Sequence, residues 1–148
     1  MLFRPATIAD IPALQIIRTS VQENVLSDPT RITAEDYETY IRTKGAGWVG
    51  EVNGKPVGFA IVDLADHNVW ALFVLPGFQS QGIGQQLHDH MLHWYFQQTD
   101  TTLWLSTDPG TRAEAFYRKN HWKETGTHHN EIRFEMTAAQ WRTRPTVE

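Results

Sequence analysis

Gln79-Ser80-Gln81-Gly82-Ile83-Gly84 is the stretch on which the reading of this chain turns. It follows Val69-Trp70-Ala71-Leu72-Phe73-Val74, a nearly all-apolar run that reads as a strand buried on both faces and ends at Leu75-Pro76-Gly77. It opens a segment in which Ile83, Leu87, Met91 and Trp94 with Tyr95 recur at helical spacing. A helix start carries unpaired N–H groups and a partial positive charge. Two glycines in such a turn let the backbone approach a ligand closely. Strand, glycine turn and helix in this order make a cradle for a pyrophosphate. The competing reading is a surface loop that uses its glycines only to turn. The stretch is not a Walker loop, which needs Gly-Lys-Ser/Thr, and it lacks the third glycine and downstream acid of a dinucleotide fingerprint.

Working outward, Leu2 to Ala6 reads as a short strand. Thr7 with Asp10 is a helix-start signal, followed by Ile8, Ile11, Leu14, Ile16, Ile17 and Val21 at helical spacing. Thr33 with Glu35 and Asp36 repeats the signal. Lys44-Gly45 reads as a stop, with Gly45 supplying a left-handed turn. Trp48–Val52 and Val57–Val62 flank Asn53-Gly54, a strong hairpin signal. Beyond the long helix, Thr102–Ser106 reads as a strand and Arg112–Asn120 as a short helix. Two closing strands lie around Trp122–Thr125 and Glu131–Met136, joined through Gly126 and His128-His129. The order β-α-α-β-β-β-α-β-α-β-β predicts a mixed α/β fold around one sheet.

Composition narrows the function classes. The 148 residues include no Cys, six Trp and seven Phe, with 41% apolar content and a formal charge of −4. This excludes a disulfide mini-protein and a disordered tail. Without a Lys/Arg block, it also argues against a nucleic-acid binder. No apolar run approaches the roughly 18 residues of a membrane span. The start, Met1-Leu2-Phe3-Arg4-Pro5, lacks the pattern of a signal peptide, so a cytoplasmic location is expected.

A second constellation is Ala113-Glu114-Ala115-Phe116-Tyr117-Arg118-Lys119-Asn120-His121-Trp122. A tyrosine hydroxyl, protonated at neutral pH, can give a proton to a leaving thiolate. Taken alone, Phe116 and Tyr117 read first as core aromatics. Taken together, the two stretches resemble the GNAT N-acetyltransferase superfamily. Gln79 to Gly84 is similar to its acyl-CoA loop Q/R-x-x-G-x-G/A, and Val74-Leu75-Pro76 to its V-x-P strand end. Ala113-x-x-Phe116-Tyr117-x-Lys119-x-x-Trp122 resembles its A-x-x-F-Y-x-K-x-G-F motif.

The resemblance implies a single domain over residues 1–148, with a mostly antiparallel mixed sheet splayed between its fourth and fifth strands and flanked by four helices. It implies acetyl-CoA as co-substrate, with Phe73 and Val74 offering backbone groups to the pantetheine arm. Gln79, Ser80, Gln81, Gly82, Ile83, Gly84 and Gln85 would form the pyrophosphate loop, with Phe116 packed on the pantetheine or the core. Tyr117 falls on the family's tyrosine facing the cofactor sulfur, and backbone N–H groups of the splayed strand would polarise the thioester. The implied reaction is direct attack by an amine, which suits a chain without a Cys nucleophile. The acceptor is expected to be a small or amino-acid-like amine. A peptide N-acetyltransferase and a non-catalytic acyl-CoA-binding module are the alternatives, and a homodimer is compatible with the family.

The chain also departs from the pattern. Gly110 replaces an Asn common in relatives, and His121-Trp122 replaces Gly-Phe. Asn68 stands where several relatives carry a Glu base, leaving Asp63, Asp66 and His67 as substitutes. Among His88, His90 and His93 only the last two share a helix face, and no acid completes a set, so no metal is expected. Trp48, Trp70, Trp94, Trp104 and Trp122 read as core, with one or two available to line an acceptor pocket. The tail from Thr137, with Trp141, is expected to pack on the domain or on a second subunit.

Overall fold

The computed structural model describes residues 1–21 and 32–145. Seven strands form one sheet: β1 Leu2–Pro5, β2 Gly45–Val52, β3 Lys55–Asp63, β4 Asn68–Val74, β5 Leu103–Thr107, β6 Lys123–His128 and β7 Glu131–Met136. Their spatial order is β1-β2-β3-β4-β5-β7-β6. Every neighbouring pair is antiparallel except β4 and β5. Those two run parallel and pair at Asn68↔Trp104 alone. Among the described residues the α-helices are α1 Ile11–Ser20, α2 Ala34–Thr39, α3 Ile83–Gln98, α4 Arg112–Lys119 and α5 Ala138–Arg142. This is the mixed α/β, splayed-sheet architecture expected, with one helix more than the four foreseen, because the Thr137 tail forms α5.

Local chemistry sets the element ends. A three-residue 3-10 turn, Ile8–Asp10, leads into α1, and the Asp10 carboxylate accepts from the Thr7 amide at 2.8 Å. It also takes two guanidinium bonds from Arg4, both 2.8 Å, which tie β1 to the helix entry. Thr33 and Asp36 cap α2 reciprocally, and Thr137 and Gln140 do the same for α5. Asn53 and Gly54 both have positive φ, 53° and 77°, as the tight hairpin turn requires.

Two apolar layers cover the sheet. On one face Leu87, Met91, Leu92 and Tyr95 of α3 pack with Phe134, Trp122 and Trp141. On the other, Ile11, Leu14 and Ile17 of α1 and Tyr37 of α2 pack on Val49, Phe59, Ile61 and Ala71. Trp141 is 4% exposed and its ring lies 5.9 Å from His88, so the tail packs on its own chain. Trp48 and Trp122 are buried, whereas Trp70, Trp94 and Trp104 are half-buried.

Four local expectations are corrected. In β4 only Ala71 is buried and the other residues are half-buried, because β5 diverges from that strand instead of covering it. Gly45 has φ −169°, extended rather than left-handed. Its glycine is a packing requirement, since a Cβ there would lie 1.7 Å from the Val62 carbonyl oxygen. Ile16 is 63% exposed, off the apolar stripe of α1. The closing hairpin turns at His129-Asn130, both of positive φ, while Gly126 lies inside β6 at a register shift.

Candidate active site

The separation of β4 from β5 makes the site. Trp104 is held three ways at the apex: its amide donates to the His67 carbonyl (2.9 Å), its carbonyl accepts from the Asn68 side-chain amide (3.2 Å), and its indole N–H donates to the Asp66 carbonyl (3.1 Å). Beyond the apex the ladder between the two strands stops, so the β5-facing edge of Leu72, Phe73 and Val74 has no strand partner. A cleft of about 580 Å³ opens there. Leu72, Phe73 and Val74 form one wall, the loop before α3 lies at its mouth, and α4 forms the opposite wall.

The loop geometry follows from its residues. Ser80 and Gly82 have positive φ, 65° and 86°, and Gly82 caps α3. The first α-helical bond of α3 runs from the Gln86 amide to the Gly82 carbonyl (3.0 Å), so the amides of Ile83, Gly84 and Gln85 precede the helical ladder. A Cβ on Gly84 would approach Val74 and Phe116 at 3.7 and 4.0 Å, that is, into the cleft. Gln85 is steadied by Nε2 bonds to Asp89 (3.1 Å) and Asn120 (2.7 Å), which fasten α3 to the end of α4.

Of the residues expected at the site, Phe73, Val74, Gln79, Ser80, Gly82, Gly84, Gln85, Phe116 and Tyr117 line this one cleft. Gln81 and Ile83 do not. The Gln81 side chain donates to the Gly77 carbonyl, and the Ile83 side chain is in the core, leaving only their backbones toward the loop. Arg112 and Lys119 also line the cleft, with no carboxylate among its described lining residues. A chain of net charge −4 thus sets two cationic side chains in the described lining of the cleft. Arg112 Nη2 donates to Ser80 Oγ at 2.9 Å, joining α4 to the glycine loop. Arg112 carried no signal in sequence beyond its place at the start of α4. Lys119 stood in the second motif without an assigned role.

Tyr117 is 6% exposed and packs against Phe116, Trp122 and Phe134 with ring centroids 5.3–6.1 Å apart. It is both a core aromatic and a cleft residue. Burial pushes its phenol pKa up, so the hydroxyl stays protonated across the neutral range.

The base candidates lie elsewhere. Asp63 is 2% exposed and its Oδ1 accepts from the Ala65 and Asp66 amides, a turn cap. Asp66 is exposed. His67 Nδ1 lies 2.8 Å from the Tyr95 hydroxyl, which itself donates to the Thr101 carbonyl. That leaves Nδ1 as the donor to Tyr95. Asn68 closes the apex. Among the described residues lining the cleft, none of these four appears. His88 Nε2 accepts from the Trp122 indole (3.0 Å) and Nδ1 faces Asp89 (2.8 Å), so both its nitrogens are engaged. Among the described residues no group of three or more His, Asp or Glu side chains could hold a metal ion.

The acetyltransferase (GNAT) family model matches residues 13–122, which takes in the cleft from α1 through both motifs. The chain belongs to the GNAT family. It is an acetyl-CoA-dependent N-acetyltransferase. Its fold is shared with many solved GNAT structures. An acetyltransferase of the GNAT family from Staphylococcus aureus Mu50 is 18% identical, with a TM-score of 0.80 over 93% of this chain and 98% of that one. The PaiA N-acetyltransferase of Thermoplasma acidophilum, solved with coenzyme A, is 14% identical (TM-score 0.79, 92% and 98% covered). The ribosomal-protein-S18-alanine N-acetyltransferase of Escherichia coli is 19% identical (TM-score 0.71, 91% and 90% covered). No curated protein sequence matches the chain. No helix among the described residues is long and apolar enough to cross a membrane.

Proposed function

We propose that this GNAT protein transfers the acetyl group of acetyl-CoA to the primary amine of a small or amino-acid-like acceptor, and that residues 1–148 form one cytoplasmic catalytic domain. The observation that carries the site assignment is the single residue pair joining β4 to β5, with the cleft beyond it running from the start of α3 to Tyr117. The parts fit the co-substrate. The leading amides of α3, in a loop with Gly82 in a left-handed conformation and Arg112 and Lys119 nearby, suit a pyrophosphate. The unpaired edge of Phe73 and Val74 suits an extended amide-bearing arm that adds to it as a strand would.

The chemistry is direct. The amine nitrogen forms a bond to the acetyl carbon and the carbon–sulfur bond breaks. The thiolate takes the Tyr117 hydroxyl proton, and the ammonium proton passes to water. Tyr117 regains its proton from solvent. The proton loss goes to water in this reading because none of Asp63, Asp66, His67 or Asn68 lines the cleft.

A second reading, acetylation of a peptide N-terminus, draws on the names of fold neighbours that are ribosomal-protein-alanine N-acetyltransferases. Two segments are expected to decide between them: Ser20–Thr33, which lies mostly outside the described residues, and the closing hairpin of β6 and β7. Incubation with acetyl-CoA and matched panels of small amines and peptides, followed by thiol release, tests both. Turnover confined to peptides overturns the small-amine reading. Binding of CoA with no turnover on either panel overturns the proposed amine transfer.

A further inference from the structure

Buried polar atoms in folded proteins are almost always hydrogen-bonded. Among the described residues, the buried side-chain nitrogen and oxygen atoms without a partner are Nε and Nη1 of Arg18 and the hydroxyl of Tyr37. All belong to one corner of the molecule, between the last turn of α1, α2 and the outer face of β4. The Arg18 guanidinium stands over the Phe73 ring at 4.8 Å and near the Trp70 ring at 5.7 Å. Tyr37 packs edge-on to the same Trp70, 5.1 Å away.

These rings offer the guanidinium no hydrogen-bond acceptor, and Nε and Nη1 find none elsewhere. Desolvation lowers the Arg18 pKa and raises that of Tyr37, and the attraction between the two groups offsets part of each shift, so they lie side by side with little solvent. The corner is not remote from the chemistry. Phe73, beneath Arg18, lines the acyl-transfer cleft, as does Val21, three residues beyond Arg18.

We infer that Arg18 and Tyr37 form an anion subsite beside the cleft, and that the preferred acceptor carries a carboxylate close to its reacting amine, as an amino acid does. A carboxylate accepts from a guanidinium and a phenol at once and supplies what these orphan donors lack. Trp70 and Phe73 give the same acceptor an apolar surface. The inference rests on the proposed acyl transfer and narrows its substrate class.

The test compares matched pairs, phenylalanine against phenylethylamine and leucine against isoamylamine, by thiol release from acetyl-CoA. The wild-type protein should favour the carboxylate member in kcat/KM by roughly tenfold to hundredfold, the worth of a hydrogen bond to a charged group. Arg18→Met, which removes the guanidinium and keeps an unbranched side chain, should bring that ratio to about one, the change falling on KM, and Arg18→Lys should restore part of it. No preference in the wild type, or a preference that survives Arg18→Met, overturns the inference. CoA calorimetry runs in parallel. A protein that does not bind CoA fails the acyl-transfer reading itself. For a protein that binds CoA but turns over no amine, the Arg18 Nε signal in side-chain NMR, assigned by its loss in Arg18→Lys, decides. It should move on adding phenylalanine and not phenylethylamine, and a signal indifferent to both overturns the subsite.

Discussion

His121 adopts a φ of +67°, a left-handed conformation that a side chain makes costly and glycine does not. The GNAT motif has glycine at this position, the residue this conformation suits best. His121→Gly relieves about 1–2 kcal/mol of left-handed strain against a smaller cost in unfolded-chain freedom, so it should stabilise the fold by about 0.5–1 kcal/mol and raise the melting temperature by about 1–4 °C, read by thermal denaturation. Tyr117→Phe belongs to the same scale. Losing the proton donor should lower kcat by about a hundredfold, with CoA affinity by calorimetry changed far less. A kcat within twofold of wild type would remove Tyr117 from the acid role. The cleft residues were legible because the two motifs are local and carry their own turn chemistry. The fate of Asn68 was not. Its side chain is spent on the Trp104 carbonyl, thirty-six positions away in sequence, and no local pattern reports such a bond. Nor does spacing show that Arg18 and Tyr37 meet, since helix periodicity marks a face and not what lies opposite it.

Elements were read well where a cap or turn was recognised, as at Thr33 and Asn53-Gly54, whereas α5, capped by Thr137, was not foreseen. They were misread where a neighbouring strand decides. The apolar run of β4 looks like a doubly covered strand, yet its pairing jumps a residue at Trp70: Ala71 faces Ile61 and Val69 faces Val62. That bulge, together with the missing β5 ladder, leaves β4 half-buried along most of its length. Gly45 shows how a correct position can rest on a wrong reason. With a Cβ 1.7 Å from the Val62 carbonyl, Gly45→Ala must push β2 off β3. A loss of about 3 kcal/mol is expected, measured by urea unfolding. Gly54→Ala meets no atom within 4 Å, although φ is +77° there. It should cost only the local strain of about 1–2 kcal/mol.

At the scale of the whole molecule, the sheet's outer strand is fastened by charge. Arg4 bonds Asp10 and Glu51 together, and its guanidinium holds the Asp10 carboxyl down at about 2, against an ordinary 3.8. A carboxyl depressed in the folded state stabilises the fold above its unfolded pKa, and that contribution fades as pH falls from about 4 through 2. Asp10→Asn should cost roughly 1–2 kcal/mol at neutral pH, allowing for the solvent that reaches Arg4. It should also flatten the acid limb of a stability-versus-pH curve between those values. An acid limb of unchanged slope would show that the bridge contributes nothing. The lone Asn68–Trp104 bridge has a mechanical corollary. Four strands on one side and three on the other share one backbone link, so the two blocks resemble covers joined at the head of a spine. A pantetheine chain laid into the opening would stitch them further down. Hydrogen exchange should slow at Phe73 and Val74 on CoA loading, and a concentration a hundredfold above Kd should add about 2.7 kcal/mol to unfolding. In such a molecule the thioester is also a structural part, and the protein is at its stiffest when it is ready to react.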